Sequence, residues 1–219
     1  RELRKVRYDL VLDIQGLFKS GLIAALAKGE RKLGLSDARE ISWLSYSEPS
    51  VRVNLDEHAV DRYLTVAGFL GLHMVEWEGR IPINAAARER VVGLMEENSL
   101  GDRPIIALNP VAKWPTKLWN VGGFSKVADR IRDDYGCDVV FTGSLSDLPV
   151  IRDIARLMKS PPVIFAGKTG LKELSFFLSA CAVMVTTDTG PMHIAAAMGC
   201  PVVALFGPTA PWRTGPYGD

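Results

Sequence analysis

A surplus of charge of one sign, a membrane-length apolar run and a set of pairable cysteines are all missing from this 219-residue sequence. Lys and Arg number 26 against 25 Asp and Glu, so no global basic field exists to hold nucleic acid, and only a local patch stays open. No apolar stretch approaches the roughly 18 residues of a membrane span, and no signal peptide is visible. The three cysteines, Cys137, Cys181 and Cys200, are odd in number, far apart and in apolar company. They read as reduced thiols of a cytosolic protein rather than a disulfide framework. Zinc-ligand spacing, a Walker loop, G-x-G-x-x-G, G-x-S-x-G and H-E-x-x-H are also absent, so hydride transfer and metalloprotease chemistry have no support and no metal site is expected.

What is present is a chain 47% hydrophobic, enough to bury one large core or two small ones. No initiating Met stands at the front, and Arg1 to Arg7 is a charged approach to a strand already under way. The last residues, Gly218-Asp219, follow a strand closely with no closing helix expected. The expectation is an interior stretch of a longer protein, with the first half and the carboxyl terminus truncated.

Tyr8 to Ile14 reads as a buried strand, Leu17 to Ala27 as a helix and Lys32 to Leu35 as a second strand. Ser36 to Asp56 has no clear periodicity and reads as a mobile surface segment. His58 to Leu70 is helical, Arg80 to Ile83 a brief strand, and Ala85 to Asn98 a charged helix. From Arg103 the pattern turns regular. Strands are predicted at Ile105–Asn109, Asp138–Thr142, Val163–Ala166, Val183–Thr187 and Val202–Phe206, with helices at Val121–Tyr135, Asp147–Met158, Leu171–Ala180 and Gly190–Met198. Such alternation of short apolar runs with helices implies a parallel sheet covered on both faces. The break near Arg103 predicts two α/β halves, residues 1–100 and 101–219.

Ligands on such sheets bind at the carboxyl ends of the strands. One segment there is Thr186-Thr187-Asp188-Thr189-Gly190-Pro191-Met192-His193, which runs from a Val-Met-Val strand into an Ala-rich helix. Gly190 lets a ligand approach the backbone, Pro191 suits the first helical turn, and the helix N-terminus offers N–H groups to an anion. Two readings stand at this point: a phosphate-side loop, or Asp188 or Thr189 simply capping the helix. Asn109 to Trp119 is the second segment, with Lys113 and Lys117 placed to neutralise a diphosphate. Its plainer reading is a solvated lysine pair with Trp119 packed at the head of the next helix. Gly207 to Gly218 is a Gly/Pro-rich exit that reads as a stiff turn. In the first half, the turn after Asp13, with Lys19, Arg39 and His58, is a candidate site for an acidic acceptor, each residue also having an ordinary surface or packing role.

Taken in order, several of these stretches resemble glycosyltransferase family nine, most closely the lipopolysaccharide heptosyltransferase I type. The resemblance rests on D-L-V-L-D-I-Q-G-L-F-K-S from Asp9, Asp37-Ala38-Arg39-Glu40, His58-Ala59-Val60-Asp61-Arg62, Lys117-Leu118-Trp119, and above all the closing stretch from Asp188 to Gly218. It implies a glycosyltransferase B fold of two Rossmann-like halves, acceptor side first and donor side second. It also implies transfer of heptose from ADP-heptose to a Kdo sugar on the lipid A inner core, at the cytoplasmic face of the inner membrane, with inversion. By resemblance, Asp188, Thr189, Gly190 and His193 hold the donor's diphosphate and sugar, and Thr169 lies where the adenosine pocket is lined. Lys117 offsets the charge of the leaving phosphate. No cofactor beyond the substrate is implied. The family pattern has a Thr pair where Ala112-Lys113 stand, and it carries its general base in an amino-terminal segment with a Gly-Asp turn that these residues do not contain. A sugar-nucleotide epimerase on the same fold and a donor-binding module without activity are the competing readings. The first predicts a second acid/base pair and turnover without acceptor.

Overall fold

The computed structural model describes residues 2–72 and 81–218. The chain forms two compact units, Arg1–Trp77 and Glu78–Asp219. In the first, strands β1 (Arg7–Asp13) and β2 (Lys28–Gly34) pair in parallel, joined by helix α1 (Phe18–Leu26). Helix α2 (Ala59–Phe69) follows, and Leu35, Val51 and Val66 form a small core with it. The strand over Tyr8 to Ile14 forms one residue earlier than its apolar run, and it is not buried: only Asp13 is, while Leu12 is 44% exposed. Its one partner among the described residues is β2, so its faces are only partly covered.

The segment from Ser36 to Asp56 lies at the surface, as expected, with two buried anchors. Leu35 bridges to Val51, a 3-10 turn spans Ser42–Ser45, and Ser42 and Val51 are buried. Its anchors are local turns and single contacts, which leave no periodic trace in the sequence.

In the second unit, five parallel strands stand in the order β5-β4-β3-β6-β7. They are β3 (Ile105–Asn109), β4 (Asp138–Phe141), β5 (Val163–Ile164), β6 (Val183–Thr187) and β7 (Val202–Leu205). Side chains along a strand alternate between faces, and here two cores result. Ile105, Ala107, Val140 and Met184 pack with residues of α3 (Ala85–Glu97), α6 (Leu171–Ser179) and α7 (Gly190–Ala197). Ile106, Leu108, Val139 and Phe141 pack with Phe124 and Ala128 of α4 (Val121–Tyr135) and Ile151 and Ile154 of α5 (Leu148–Leu157). The unit is a three-layer α/β/α sandwich, as the run of apolar strands implied.

Three expectations need correction. The unit boundary lies near residue 77 rather than 100, because Val91 of α3 is fully buried in the second unit's core. The composition break near Arg103 marks a loop inside that unit. No strand forms at residues 81–83, and Arg80 lies outside the described residues. Finally, the Gly/Pro-rich exit is not only a turn: Pro211–Thr214 forms a short helix, α8.

Candidate functional site at the carboxyl edge of the second sheet

The order of the five strands sets where a ligand can enter. From β3 the chain steps outward to β4 and β5, then crosses back to place β6 on the other side of β3, and continues to β7. Loops leaving β3 and β6 therefore diverge, and a crevice opens between them at their carboxyl ends. Lys117 follows β3 and Asp188 follows β6. They meet there: Lys117 Nζ lies 2.5 Å from Asp188 Oδ2.

Asp188 is only 7% exposed and anchored on several sides. Its backbone N–H donates to the Leu205 carbonyl of β7 at 3.1 Å, and its Oδ2 accepts a second bond, from Thr209 Oγ1, at 2.5 Å. Burial by itself pushes the carboxyl's pKa up. The donors Lys117 and Thr209, and the charges of Lys117 and His193, outweigh burial and hold it below the usual carboxylate value.

The loop carrying Lys117 is fixed by its neighbours. Thr187, fully buried at the end of β6, donates from Oγ1 to the Val111 carbonyl at 2.6 Å. A 3-10 turn over Pro115–Lys117 then sets the lysine. Gly207, after β7, runs so close over this turn that a Cβ there would stand 2.5 Å from the Thr116 carbonyl oxygen. Only glycine fits. Three loops, after β3, β6 and β7, thus converge on one carboxylate.

The helix-cap reading of Asp188 and Thr189 is not what the structure shows. Thr189 occupies the N-cap position of α7 without a side-chain cap bond, and the Asp188 carboxylate points its recorded bonds at Lys117 and Thr209. In the first turn of α7 the Met192 N–H donates to the Thr189 carbonyl at 3.1 Å. Pro191 sits at the start of the helix, and the space where a Gly190 Cβ would stand holds no protein atom within 4 Å. His193 is exposed on the first turn, its charge felt at Asp188.

Other candidates fall elsewhere. Lys113 is exposed, its ammonium 5.6 Å from the Trp114 ring centroid, so the structure joins only one of the two loop lysines to Asp188. Trp119 packs edge-on to Phe124 with centroids 5.3 Å apart, at the head of α4, as its plainer reading held. Thr169 lies past β5, two strands from β3 and half-buried; Gly167 and Lys168 before it line a cavity of about 560 Å³ along the sheet edge with Leu145, Leu148 and Arg152.

In the first unit, Asp13 is a turn-former: its Oδ1 accepts from the N–H groups of Gln15 and Gly16 at 3.1 and 3.0 Å, and its Oδ2 from the Tyr46 hydroxyl at 3.0 Å. His58 caps α2, its Nδ1 accepting from Val60 N–H at 3.2 Å. Lys19 and Arg39 are exposed; the Arg39 N–H donates to the Gly16 carbonyl at 2.7 Å, which brings its loop to the head of α1. Thr187 and Thr209 lie in the stretches the sequence drew attention to but were not singled out as site residues, since their bonds to Val111 and Asp188 depend on packing rather than spacing.

A family model described as glycosyltransferase family 9 (heptosyltransferase) matches residues 1–219. The chain belongs to glycosyltransferase family 9. Among relatives of this family-9 chain, the lipopolysaccharide core heptosyltransferase OpsX of Haemophilus influenzae is 26% identical over 226 residues, covering 100% of the chain and 62% of the relative. Among solved structures, a family 9 glycosyl transferase from Veillonella parvula superposes with a TM-score of 0.85 at 28% identity, over 97% of this chain and 62% of that one. The ADP-heptose LPS heptosyltransferase II of Escherichia coli gives a TM-score of 0.76 at 27% identity, over 98% and 67%. The family-9 chain thus spans less than two thirds of the length of the first two. Its mixed α/β units with parallel sheets agree with these structures.

Proposed function

We propose that the protein is a heptosyltransferase of lipopolysaccharide core synthesis, of the heptosyltransferase I type, taking ADP-heptose as donor and a Kdo sugar on lipid A as acceptor. The observation that carries this reading is the contact between Lys117 and Asp188 across the ends of β3 and β6, beside the N-terminus of α7. Transfer forms a bond from an acceptor oxygen to the anomeric carbon and breaks the bond from that carbon to the diphosphate. The electron pair leaves on the β-phosphate of ADP, and the acceptor proton goes to a base. A lysine and a helix N-terminus supply the positive charge that the departing diphosphate needs, and low solvent exposure around the lysine strengthens its part. Inversion follows if the acceptor attacks opposite the diphosphate. Among the described residues no group of three or more His, Cys, Asp or Glu is arranged to hold a metal, and no helix is long and apolar enough to cross a membrane. The proposed setting, the cytoplasmic face of the inner membrane, comes from the lipid-borne acceptor.

Two measurements test the reading. Calorimetry should show ADP binding, and incubation with ADP-heptose and Kdo-bearing lipid A should release ADP and lengthen the acceptor. No ADP binding would refute the donor site. Conversion of ADP-heptose without acceptor would favour an epimerase, and binding without transfer would reduce these residues to a donor-binding module.

A further inference from the structure

The Asp188 carboxylate has more donors on one oxygen than an ion pair requires. Oδ2 receives the Lys117 ammonium and the Thr209 hydroxyl, each at 2.5 Å, and they come from different loops. Lys117 is therefore engaged by Asp188. To serve a diphosphate it must leave Asp188 or share itself with it. A carboxylate only 7% exposed that loses its ammonium is costly to keep ionised unless another donor stays behind. Thr209 is placed to stay. Its loop is held over the Lys117 turn by the Gly207–Thr116 approach, and its β-branched side chain has few rotamers to escape into.

We propose that Thr209 is a positioning residue that keeps the Asp188 carboxylate anchored while Lys117 moves onto the diphosphate of a nucleotide, so that the Lys117–Asp188 pair is a latch released by the ligand. The inference rests on the donor-site reading above and adds a residue and a sequence of events to it. In the structure both donors sit on Oδ2. Ligand-bound, Lys117 turns to phosphate oxygens and the hydroxyl holds Oδ2 alone, with the His193 charge on α7 nearby.

Thr209→Val removes the hydroxyl and keeps the shape, and Thr209→Ser restores the hydroxyl. Calorimetry of ADP binding near pH 6, in two buffers of different ionisation heat, reads both affinity and proton uptake. Thr209→Val is expected to weaken ADP binding about tenfold and to make binding take up a proton, because the stranded carboxylate protonates. Thr209→Ser should behave as the unaltered protein. In a Lys117→Met background, Thr209→Val should have no further effect on ADP affinity, since no latch remains to release; a merely structural threonine would give the same loss in both backgrounds. If valine at 209 prevents folding, Thr209→Ala makes the same comparison. Equal ADP affinity and equal proton uptake with and without the hydroxyl would overturn the latch and leave the donor site standing. Failure of the unaltered protein to bind ADP would overturn both.

Discussion

Residues 117 and 188 carry opposite charges 2.5 Å apart with little water around them, so removing either one alone does two things. Lys117→Ala takes charge from the proposed leaving group and also strands a buried carboxylate. It should lower kcat for transfer about 100-fold and depress the melting temperature. Adding Asp188→Asn should recover the melting temperature but not the transfer; recovery of both would show that the pair is structural. The lowered pKa of Asp188 fixes the sign of its pH dependence. A carboxyl that is more acidic folded than unfolded stabilises the fold above its unfolded value, and that stabilisation is lost as pH falls through the folded one. Thermal melts taken from pH 7 to below about pH 4 should therefore show a steeper loss for the unaltered protein than for Asp188→Asn. The cysteines give a further test. Burial pushes the Cys200 thiol up to about 11, and pushes Cys181 higher still with a contribution from Cys200. Neither presents thiolate at neutral pH, so alkylation of the native protein at pH 8 should modify Cys137 first and the other two only on unfolding. Equal reactivity at all three would contradict the buried placement.

Elements with a strong period were legible in the sequence, and those held by single contacts were not. Strands β3 and β6 and helix α4 form over the residues their apolar runs predict. Helix α4 is bounded by signals a reader can find: Asn120 at its start, whose Oδ1 accepts from Gly123 N–H at 2.6 Å, and Gly136 in a left-handed conformation at its end. Asn120→Ala should cost about 1 kcal/mol, read as a lowered denaturation midpoint, and it should loosen the helix that begins just after Lys117. An unchanged midpoint would mean the cap bond is redundant. By contrast β5 keeps only two residues of its predicted run, because it is an edge strand with one neighbour, and Phe165 and Ala166 turn inward as loop. That the segments after β3 and β6 come together was legible from their place at strand ends. Which lysine meets Asp188 was not, since that depends on the turn at Pro115–Lys117 and on the clearance at Gly207, set by packing rather than spacing.

For the molecule as a whole, the assignment of α3 decides where a stable piece can be cut. Composition changes near Arg103, but Val91 has no solvent exposure and sits with Phe165, Phe177 and Leu178 in one core. A polypeptide of residues 78–219 should melt cooperatively and keep its ADP affinity. One starting at residue 101 removes α3, uncovers that core, and should bind hydrophobic dyes and unfold without a sharp transition. Equal behaviour of the two would return the boundary to the composition break.

The crossing of the chain from β5 back to β6 also has a kinetic meaning. The hydroxyl of Thr187 and the carbonyl of Val111 that it holds are 76 residues apart along the chain. Between them lie β4, β5 and the helices α4, α5 and α6. Closing so distant a contact is slow relative to local helix formation, because the entropy of the intervening chain is lost before the contact is gained. The meeting of Lys117 and Asp188 at the ends of these strands is consequently among the last features to appear during refolding, and a nascent chain cannot form it until the second half of the sheet has been synthesised and docked.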